Sequence, residues 1–354
     1  MKKKGDSMEP NATRPQSQEA PITVLPSSLP GPGSPIEQVL FEVKRLIVGQ
    51  DRMLERILVG LLAGGHVLIE GVPGIAKTAT VKALGTVLGC SFGRVQFTPD
   101  LVPADLIGTR IYNPKTAEFS TELGPVFTSL LLADEINRAP AKVQSALLEI
   151  MQEHQVTIGK ETFTTPEPFM VLATQNPIEA DGTYPLPEAQ LDRFMLKILV
   201  GYPSLTEEIV VVSRITGKPI ELRQILSGKQ VLELQAAAAA IYVDPVVLSY
   251  AAKLTTATRK PAESGLAEFE TAIAYGASPR ATIHLVAASR ALALIRGREY
   301  VLPQDVADLA PEVIRHRLLL SYEGIAAGVD AEQVIGALLE RNQPPRIDLR
   351  DRAV

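Results

Sequence analysis

The amino-acid sequence predicts an α/β fold: a five-stranded parallel sheet flanked by helices, followed by a small all-helical domain. Three observations carry this prediction. A Gly-rich segment, GVPGIAKT at 71–78, directly follows a short apolar run. Five such runs alternate with helical periodicity up to residue 203, which is typical of a parallel sheet covered on both faces. Beyond residue 203 the strand signals stop, and the chain is rich in Ala and Leu with helical periodicity.

The first part of the chain predicts a tail and two helices. Residues 1–34 are rich in Pro, Ser, Gly and Asn and poor in large apolar side chains. Because such a segment buries too little surface to offset its ordering entropy, we expect a disordered tail. Helical periodicity begins at about Pro35, pauses at Val48-Gly49-Gln50 and resumes through DRMLERILVGLLAGG.

The five apolar runs are expected to form the strands of the sheet. They are His66–Ile69, Arg94–Phe97, Ser129–Ala133, Phe169–Ala173 and Met195–Val200. Between the third and fourth runs, KVQSALLEIMQEHQ predicts an amphipathic helix, and QVTIGKETFTT, turning at Gly159-Lys160, predicts a β-hairpin. Four or more helices are expected in the second domain, because helix breakers recur there. They lie at Gly217-Lys218-Pro219, Asp244-Pro245, Ser278-Pro279 and Leu302-Pro303.

The Gly-rich segment has the composition of a phosphate-binding loop. Gly71 and Gly74 allow a tight turn in which backbone N–H groups converge on phosphate oxygens. Lys77 would reach the outer phosphates, and the hydroxyl of Thr78 would bind Mg²⁺. The usual pattern has Gly before the Lys, where this chain has Ala76; a methyl is tolerated if the backbone is already helical there. An ordinary strand–turn–helix connection is the alternative interpretation.

Two carboxylates follow the third apolar run, in SLLLADEINRAP. Asp134 and Glu135 would then lie at the carboxyl end of a strand, where open α/β sheets bind their ligands. We expect Asp134 to hold Mg²⁺ through its water shell and Glu135 to polarise an attacking water. The fourth run ends in VLATQNP, so Asn176 would emerge beside Asp134 and orient the water or touch the γ-phosphate. Ordinary turns explain both segments equally well when each is taken alone.

Two arginines are candidates for contacts with phosphate. Arg193 lies just before the fifth run, at an edge from which it does not easily reach its own nucleotide. It fits the role of a finger that reaches the γ-phosphate of a neighbouring subunit; a surface pair with Asp192 or Glu188 is the alternative. Arg280 follows Pro279 at a helix start, where the helix dipole disfavours a cation and so favours an anionic partner. The alternative interpretation is a solvent-exposed arginine without a functional role.

Composition and charge narrow the class of protein. The 354 residues leave room for two domains, each with its own core. A net charge of −5 and a pI of about 5.6 exclude a global basic field that would attract nucleic acid or anionic membrane. The single cysteine, Cys90, excludes an internal disulfide. The basic start MKKKGDSMEPNATRPQ has no apolar segment behind it, so we expect a cytoplasmic protein with no transmembrane segment.

Together these segments resemble the AAA+ superfamily of ATPases, and specifically its MoxR branch, over roughly residues 37–345. The most specific stretches are GVPGIAKT, QFTPDLVPADLIGT, LLLADEINRAPAKVQSALLE, LATQNPIEADGTYPLPEAQLDRF and GASPRA. The resemblance implies a P-loop AAA+ core over 35–203 and an all-α lid domain over 204–354. It also implies a helix-2 insert at 98–125 and a hairpin before sensor 1 at 154–168.

The same resemblance implies a role for each candidate residue. The resemblance implies a nucleotide-binding Walker A loop made of Gly71, Val72, Pro73, Gly74, Ile75, Ala76, Lys77, Thr78 and Ala79. Walker B is Asp134-Glu135, sensor 1 is Asn176, the arginine finger is Arg193 and sensor 2, acting in cis, is Arg280. Val48-Gly49-Gln50 matches the segment that lines the adenine site. In the family the two inserts line the face or pore of a ring, which would explain exposure of Phe119 and Lys160; simple surface loops are the alternative.

The sequence therefore predicts an ATPase that uses ATP and Mg²⁺, assembles as a ring, expected to be a hexamer, and remodels a partner protein. By analogy with MoxR proteins, the partner would carry a von Willebrand factor A domain, and metal-cofactor insertion is one form the maturation could take. A nucleic-acid motor or loader shares this core, but the acidic pI disfavours it. A nucleotide-gated scaffold with little turnover is disfavoured because Glu135 and Arg193 are present.

Overall fold

The structure, a computed structural model, describes residues 33–72, 74–176 and 183–346. The predicted tail lies outside the described residues as far as residue 32, and so does Pro73 of the Gly-rich loop. Ser34, which the sequence placed in the tail, instead begins the folded chain. Its hydroxyl accepts a hydrogen bond from the Glu37 N–H at 3.1 Å and so caps the first helix.

Helices and strands alternate through the first half of the described chain, and helices dominate the second. The strands are β1 (Val67–Gly71), β2 (Phe92–Gln96), β3 (Gly108–Asn113), β4 (Glu118–Leu123), β5 (Leu130–Asp134), β6 (Gln155–Ile158), β7 (Glu161–Thr164), β8 (Met170–Gln175), β9 (Leu196–Val200), β10 (Ile273–Tyr275) and β11 (Leu319–Leu320). The helices are α1 (Pro35–Lys44), α2 (Asp51–Leu62), α3 (Lys77–Leu88), α4 (Pro103–Ile107), α5 (Ala141–Glu153), α6 (Glu188–Leu191), α7 (Leu205–Thr216), α8 (Gly228–Ala240), α9 (Pro245–Arg259), α10 (Pro279–Ile295), α11 (Pro303–Ile314), α12 (Tyr322–Ala326) and α13 (Ala331–Arg341).

The predicted parallel sheet is confirmed. Its order is β2-β5-β8-β1-β9, and every pairing is parallel. Successive side chains of a strand point to opposite faces, and both faces are covered, which explains why the strands read as continuous apolar runs. In β1, Ile69 packs into the core that includes α3, whereas Leu68 packs into the core that includes α5. The carboxyl ends of all five strands consequently meet at one edge of the sheet.

Two hairpins project from the core. Residues 98–125, the predicted helix-2 insert, contain the short helix α4 and the antiparallel pair β3–β4. The predicted hairpin after α5 is confirmed as the pair β6–β7, which turns at Gly159 and Lys160. The two hairpins lie side by side, because a Cβ at Gly159 would come within 2.6 Å of Arg110 Cδ on β3.

The described part of the second domain is mainly helical and contains one antiparallel pair of short strands. The short strands β10 and β11 pair antiparallel, a departure from the all-helical expectation. Strands of three and two residues are too short to produce a period-2 pattern, so the sequence could not indicate them. Three of the four predicted helix breaks are helix starts, because α9, α10 and α11 each begin with proline, and Asp244 and Ser278 cap the first two. The fourth break lies at the end of α7, where Gly217 follows the last helical residue. None of the helices in the described ranges is long and apolar enough to cross a membrane.

Candidate nucleotide site

The Gly-rich loop joins β1 to α3, as the sequence predicts. The structure describes Gly71, Val72, Gly74, Ile75, Ala76, Lys77, Thr78 and Ala79 of the predicted set. Gly71 lies against β9, where a Cβ would come within 2.6 Å of the Val200 carbonyl oxygen, so the close strand approach needs glycine. The expectation of helical backbone at Ala76 is wrong: its φ of 61° and ψ of 24° are left-handed, and helical geometry begins only at Lys77.

Lys77 is half-buried behind the loop. Its Nζ donates to the Gly71 carbonyl at 2.6 Å. Burial lowers the pKa of the ammonium, and the negative charges of Asp134, Glu135 and Glu70 oppose that shift. Among the residues that the structure describes, no carboxylate lies within ion-pair distance of Lys77. The side chain is therefore a cation beside the loop whose partner is a neutral carbonyl, which suits it to bind an anion.

Asp134 ends β5, next to the carboxyl end of β8. Its Oδ1 accepts from the Thr174 hydroxyl at 2.7 Å, and its Oδ2 accepts from Nη2 of Arg94 at 2.7 Å. A carboxylate with both oxygens bound but each retaining lone pairs suits contact with a hydrated cation. The oxygen donors Asp134 and Thr78 are thus the ligand type that Mg²⁺ prefers, and they fit the expected metal.

Glu135 follows at once, with a left-handed φ of 57° that turns the chain out of the strand. Its N–H donates to the Thr174 hydroxyl at 2.8 Å, so the same hydroxyl holds both carboxylate residues. Its Oε2 accepts from Gln96 Nε2 at 2.9 Å and lies 3.1 Å from Arg138 Nε. Strained backbone of this kind is concentrated at functional sites, where the surrounding contacts maintain it.

Sequence reasoning missed Thr174, Gln96 and Arg94. Each lies on a strand adjacent to a strand of the site, yet far from Asp134 along the chain. The available signal was weak: one hydroxyl at the end of the otherwise apolar run VLAT, and two polar residues in RVQ. Their roles depend on the strand order β2-β5-β8, which the sequence does not specify.

Asn176 lies at the same edge of the sheet as Asp134. It follows the last residue of β8 directly, and the pairing of Ala133 with Ala173 places it two residues beyond the level of Asp134. Its side chain is buried. The expected convergence of Asn176 with the Asp134-Glu135 pair at one sheet edge therefore matches the strand geometry.

The Val48-Gly49-Gln50 segment also reaches this edge. Gln50 Nε2 donates to the carbonyl of Gly201 at 3.3 Å, and Gly201 follows the strand residue that pairs with Gly71. Gly49 and Gln50 have left-handed φ angles of 66° and 58°, which separate α1 from α2. A Cβ at Gly49 would come within 2.5 Å of Glu207 Oε1, so α7 begins beside the segment.

Arg193 and Arg280 do not lie at the carboxyl edge of the sheet. Both line one cavity of about 200 Å³, together with Gly64, Gly65 and His66, which directly precede β1. Since the loop follows the other end of β1, about 16 Å away at 3.3 Å per residue, the arginines occupy the opposite edge of the sheet.

This placement leaves Arg280 away from the phosphate loop of its own chain, where the expected cis role would require it to be. Arg280 Nη1 lies 3.6 Å from Asp192 Oδ2, and the Ser278 hydroxyl donates to the same carboxylate at 3.1 Å. The second domain packs so that the start of α10 lies at the edge of the sheet where the strands begin. This arrangement results from tertiary packing, so the local sequence around Arg280 does not encode it.

The inserts expose side chains at the hairpins. Phe119 of β4 is 60% exposed, with its ring centroid 5.1 Å from that of Tyr112 and the Arg110 guanidinium 4.9 Å above it. This stacking gives Phe119 local partners on its own hairpin while leaving one face to solvent. Lys160 is exposed at the turn of the β6–β7 hairpin.

Two family models match parts of this chain. A family model described as "ATPase family associated with various cellular activities (AAA)" matches residues 66–196, which include β1, β5 and β8. A second family model, "AAA lid domain", matches residues 267–337.

Relatives match over most of the chain. "Chaperone MoxR1" of Mycobacterium tuberculosis is 55% identical over 88% of this chain and 83% of its own length. The protein YeaC of Bacillus subtilis is 42% identical over 86% of this chain and 92% of its own. A solved structure of a protein from Cytophaga hutchinsonii superposes with a TM-score of 0.84 at 46% identity, covering 88% of this chain and 95% of the other.

Proposed function

The chain belongs to the MoxR family of AAA+ ATPases, and from that premise we propose that it works as a head-to-tail ring, expected to be a hexamer, whose ATP hydrolysis drives chaperone-like remodelling of a partner protein. The nucleotide would bind at the carboxyl edge of the sheet, with its phosphates at the Gly71–Thr78 loop and its adenine beside the Val48-Gly49-Gln50 segment. ATP hydrolysis is the activity of the family; the ring, its size and its client are the proposal.

Each residue of the edge has a defined task in this proposal. Lys77 and the N–H groups of the loop would hold the outer phosphates, while Thr78 and Asp134 would hold Mg²⁺. The metal ion, when bound, would neutralise charge on the phosphate oxygens. Glu135 would accept a proton from the attacking water, and Asn176 would orient that water.

One observation carries the ring: Arg193 and Arg280 share a cavity at the sheet edge opposite the phosphate loop. Neither side chain reaches the phosphates of its own chain, whereas a head-to-tail neighbour would present both arginines to them. We accordingly assign both arginines to action in trans, which replaces the expected cis role of Arg280. Cations supplied to the γ-phosphate contribute about 10³–10⁵ in rate in comparable enzymes.

A mixing experiment tests this arrangement. Lys77→Ala should lack nucleotide binding, and Arg193→Ala should bind nucleotide without turning it over, so each variant alone is inactive. In a mixed ring, an Arg193→Ala subunit with an intact loop receives Arg193 from a Lys77→Ala neighbour, and ATPase activity returns. The activity of the mixture, titrated over subunit ratio, is the measurement.

Two controls make the result decisive. Mixing either inactive variant with the double variant Lys77→Ala/Arg193→Ala should restore nothing. ATPase activity of the unsubstituted protein should rise faster than linearly with protein concentration, because each complete site needs two subunits. Activity that stays proportional to concentration, together with failure of the mixture, would show that the arginines do not act between subunits.

The proposed remodelling of a client protein rests on different observations from those that support the ring. A relative that is 55% identical is named a chaperone, and the exposed Phe119 and Lys160 give the paired hairpins a surface for a polypeptide. A partner with a von Willebrand factor A domain, metal-cofactor insertion and a cytoplasmic location stay predictions from the family resemblance. Stimulation of ATPase activity by such a partner, lost in Phe119→Ala but not in an exposed Phe41→Ala control, would support the assignment.

A further inference from the structure

The helix α7 exposes an apolar face that no other part of the described chain covers. Its sequence, LTEEIVVVSRIT, is rich in branched aliphatic residues, yet none of its described side chains is buried. Leu205, Ile209 and Val212 are 75%, 62% and 60% exposed, and their spacing places them in one stripe. Tyr202, also exposed, extends it toward β9. We call these four residues the α7 stripe. A helix this apolar is ordinarily covered in the functional assembly.

The α7 stripe has a fixed position beside the nucleotide site. Ser204 and Glu207 form a reciprocal cap at the start of α7. Arg214, near its end, donates to the Lys44 carbonyl at 2.7 Å. The start of the helix also lies against Gly49. Because these contacts use the inner side of α7, the stripe lies on the opposite side of the helix, facing away from Gly49 and Lys44.

A second exposed apolar surface lies beside the arginines. Ile283 is one turn beyond Arg280 on α10, and Tyr275 precedes that helix in the chain. Both side chains are exposed, at 65% and 71%. We call Tyr275 and Ile283 the α10 patch. This patch and the two arginines of the cavity belong to the same side of the protein.

We propose, on the basis of the ring arrangement above, that the α7 stripe of one subunit is the docking surface for the α10 patch of its neighbour. A neighbour that brings Arg280 to the phosphates necessarily brings Ile283, one turn away, to the surface beside the phosphate loop. The two surfaces are different, so the contact is heterologous and propagates head to tail, as a ring requires.

Charge favours the same orientation. Glu208, which is exposed in the first turn of α7, flanks the α7 stripe, whereas the surface beside the α10 patch carries Arg193 and Arg280. Opposite charges around an apolar contact steer the two surfaces into register and disfavour pairing of two α7 helices with each other. A second copy of this chain is therefore the occupant that the structure supports, rather than an unrelated protein.

Cysteine cross-linking tests the contact directly. In a background with Cys90→Ala, one preparation carries Ile209→Cys and another carries Ile283→Cys, so every subunit has one thiol. Each preparation, and their mixture, is treated with a short bismaleimide in the presence of a non-hydrolysable ATP analogue. We expect a cross-linked dimer in the mixture and none in either preparation alone.

Each other outcome overturns the proposal. A dimer in the Ile209→Cys preparation alone would indicate a two-fold contact between α7 helices. Assembly without any cross-link would place the ring contact elsewhere. If mixing of the Lys77 and Arg193 variants restores activity while no cross-link forms, the ring stands and the α7 contact fails. If mixing fails as well, both proposals fall.

A second variant measures the effect on assembly. Ile209→Asp puts a charge in the α7 stripe, and we expect it to weaken assembly by about tenfold or more, as loss of one buried aliphatic contact implies. Sedimentation velocity over a concentration series with the ATP analogue measures it, and circular dichroism checks folding. The matched control is Leu248→Asp on α9, an exposed leucine outside both surfaces, which should assemble normally. Normal assembly of Ile209→Asp would overturn the proposal.

Discussion

The guanidinium of Arg317 binds Asp192 twice: Nε donates to the carboxylate Oδ1 at 2.7 Å, and Nη2 donates to the backbone carbonyl at 2.9 Å. Nη2 also donates to the Phe194 carbonyl at 2.7 Å. The Arg317 side chain is only 1% exposed, and burial lowers its pKa to about 10. The second domain thus holds the segment that carries Arg193, so the position of the proposed finger depends on the domain contact.

Replacing Asp192 tests this link. Asp192→Asn keeps the shape but removes the negative charge, which leaves the buried Arg317 cation without its counterion. We expect the free energy of unfolding to fall by about 3 kcal/mol, the lower end of the cost of breaking a buried pair, because Asp192 is partly exposed. ATPase activity should fall while nucleotide affinity stays unchanged, because only the Arg193 segment is released. Urea unfolding and nucleotide titration are the measurements.

An exposed ion pair gives the matched control. Glu263 pairs with Lys260 at 3.0 Å, and both side chains are largely exposed. Glu263→Gln should change the free energy of unfolding little, because water screens such pairs. Equal stability losses in the Glu263 and Asp192 variants would show that the Asp192–Arg317 contact contributes no more to stability than an exposed ion pair does.

The features that sequence reasoning predicted are local in the chain. The phosphate loop, Asp134, Glu135 and Asn176 each follow an apolar run directly, and parallel strands bring their carboxyl ends together whatever the strand order. The β6–β7 hairpin was predictable for the same reason, because alternation and the turn at Gly159 lie within eleven residues. These elements needed no knowledge of tertiary contacts.

The features that were missed depend on contacts distant in sequence. Thr174 meets Asp134 across 40 residues because β8 lies beside β5, and Arg317 meets Asp192 across 125 residues through domain packing. The position of Arg280 could not be predicted for the same reason: its local pattern indicates a helix start but says nothing of the sheet edge that the helix start faces. No periodicity in one chain encodes these relationships.

Thr174 offers a sharper test of the site than the carboxylates themselves. Thr174→Val preserves shape but removes the hydroxyl that donates to Asp134 and accepts from the Glu135 N–H. We expect a stability loss of about 1–3 kcal/mol, since a buried N–H loses its acceptor. We also expect a larger fall in kcat than in ATP affinity, because the substitution frees both carboxylate residues but leaves the phosphate loop intact. Steady-state kinetics and urea unfolding measure the two effects.

Thr128→Val is the corresponding control at the opposite edge of the sheet. Thr128 is buried like Thr174, and its hydroxyl donates to Ser91 Oγ at 3.2 Å. This variant should lose stability without a specific loss of kcat. If both valine variants have the same kcat, the role assigned to Thr174 in orienting the carboxylates is wrong.

Buried histidines predict a loss of stability in mild acid. His66 is neutral, because Nδ1 accepts from the Val171 N–H while Nε2 binds the Met151 carbonyl, and burial lowers its pKa to about 4. His284 Nδ1 accepts from Arg317, and burial lowers its pKa to about 3. Below pH 6.5 the unfolded chain binds protons that the folded chain excludes, so the free energy of unfolding decreases as pH falls toward 4. Each histidine contributes a slope of about 1.4 kcal/mol per pH unit.

Urea unfolding at several pH values between 7 and 4.5 measures that slope. His284→Asn, whose amide oxygen can replace Nδ1 as the acceptor for Arg317, should flatten the dependence by one proton. An unchanged slope in this variant would show that His284 titrates normally in the folded protein.

Replacing alanine by glycine should have opposite effects on the free energy of unfolding at two positions, Ala76 and Ala79, which are three residues apart. Ala76 has the left-handed φ of 61°, which costs an L-residue about 1 kcal/mol and costs glycine nothing. Ala79 lies in α3, where glycine costs about 1 kcal/mol relative to alanine. We therefore expect Ala76→Gly to raise the free energy of unfolding and Ala79→Gly to lower it, as measured by urea unfolding without nucleotide. Both side chains are exposed, so lost packing does not confuse the comparison. Destabilisation by both substitutions would mean that the loop does not hold Ala76 in the left-handed conformation before nucleotide binds.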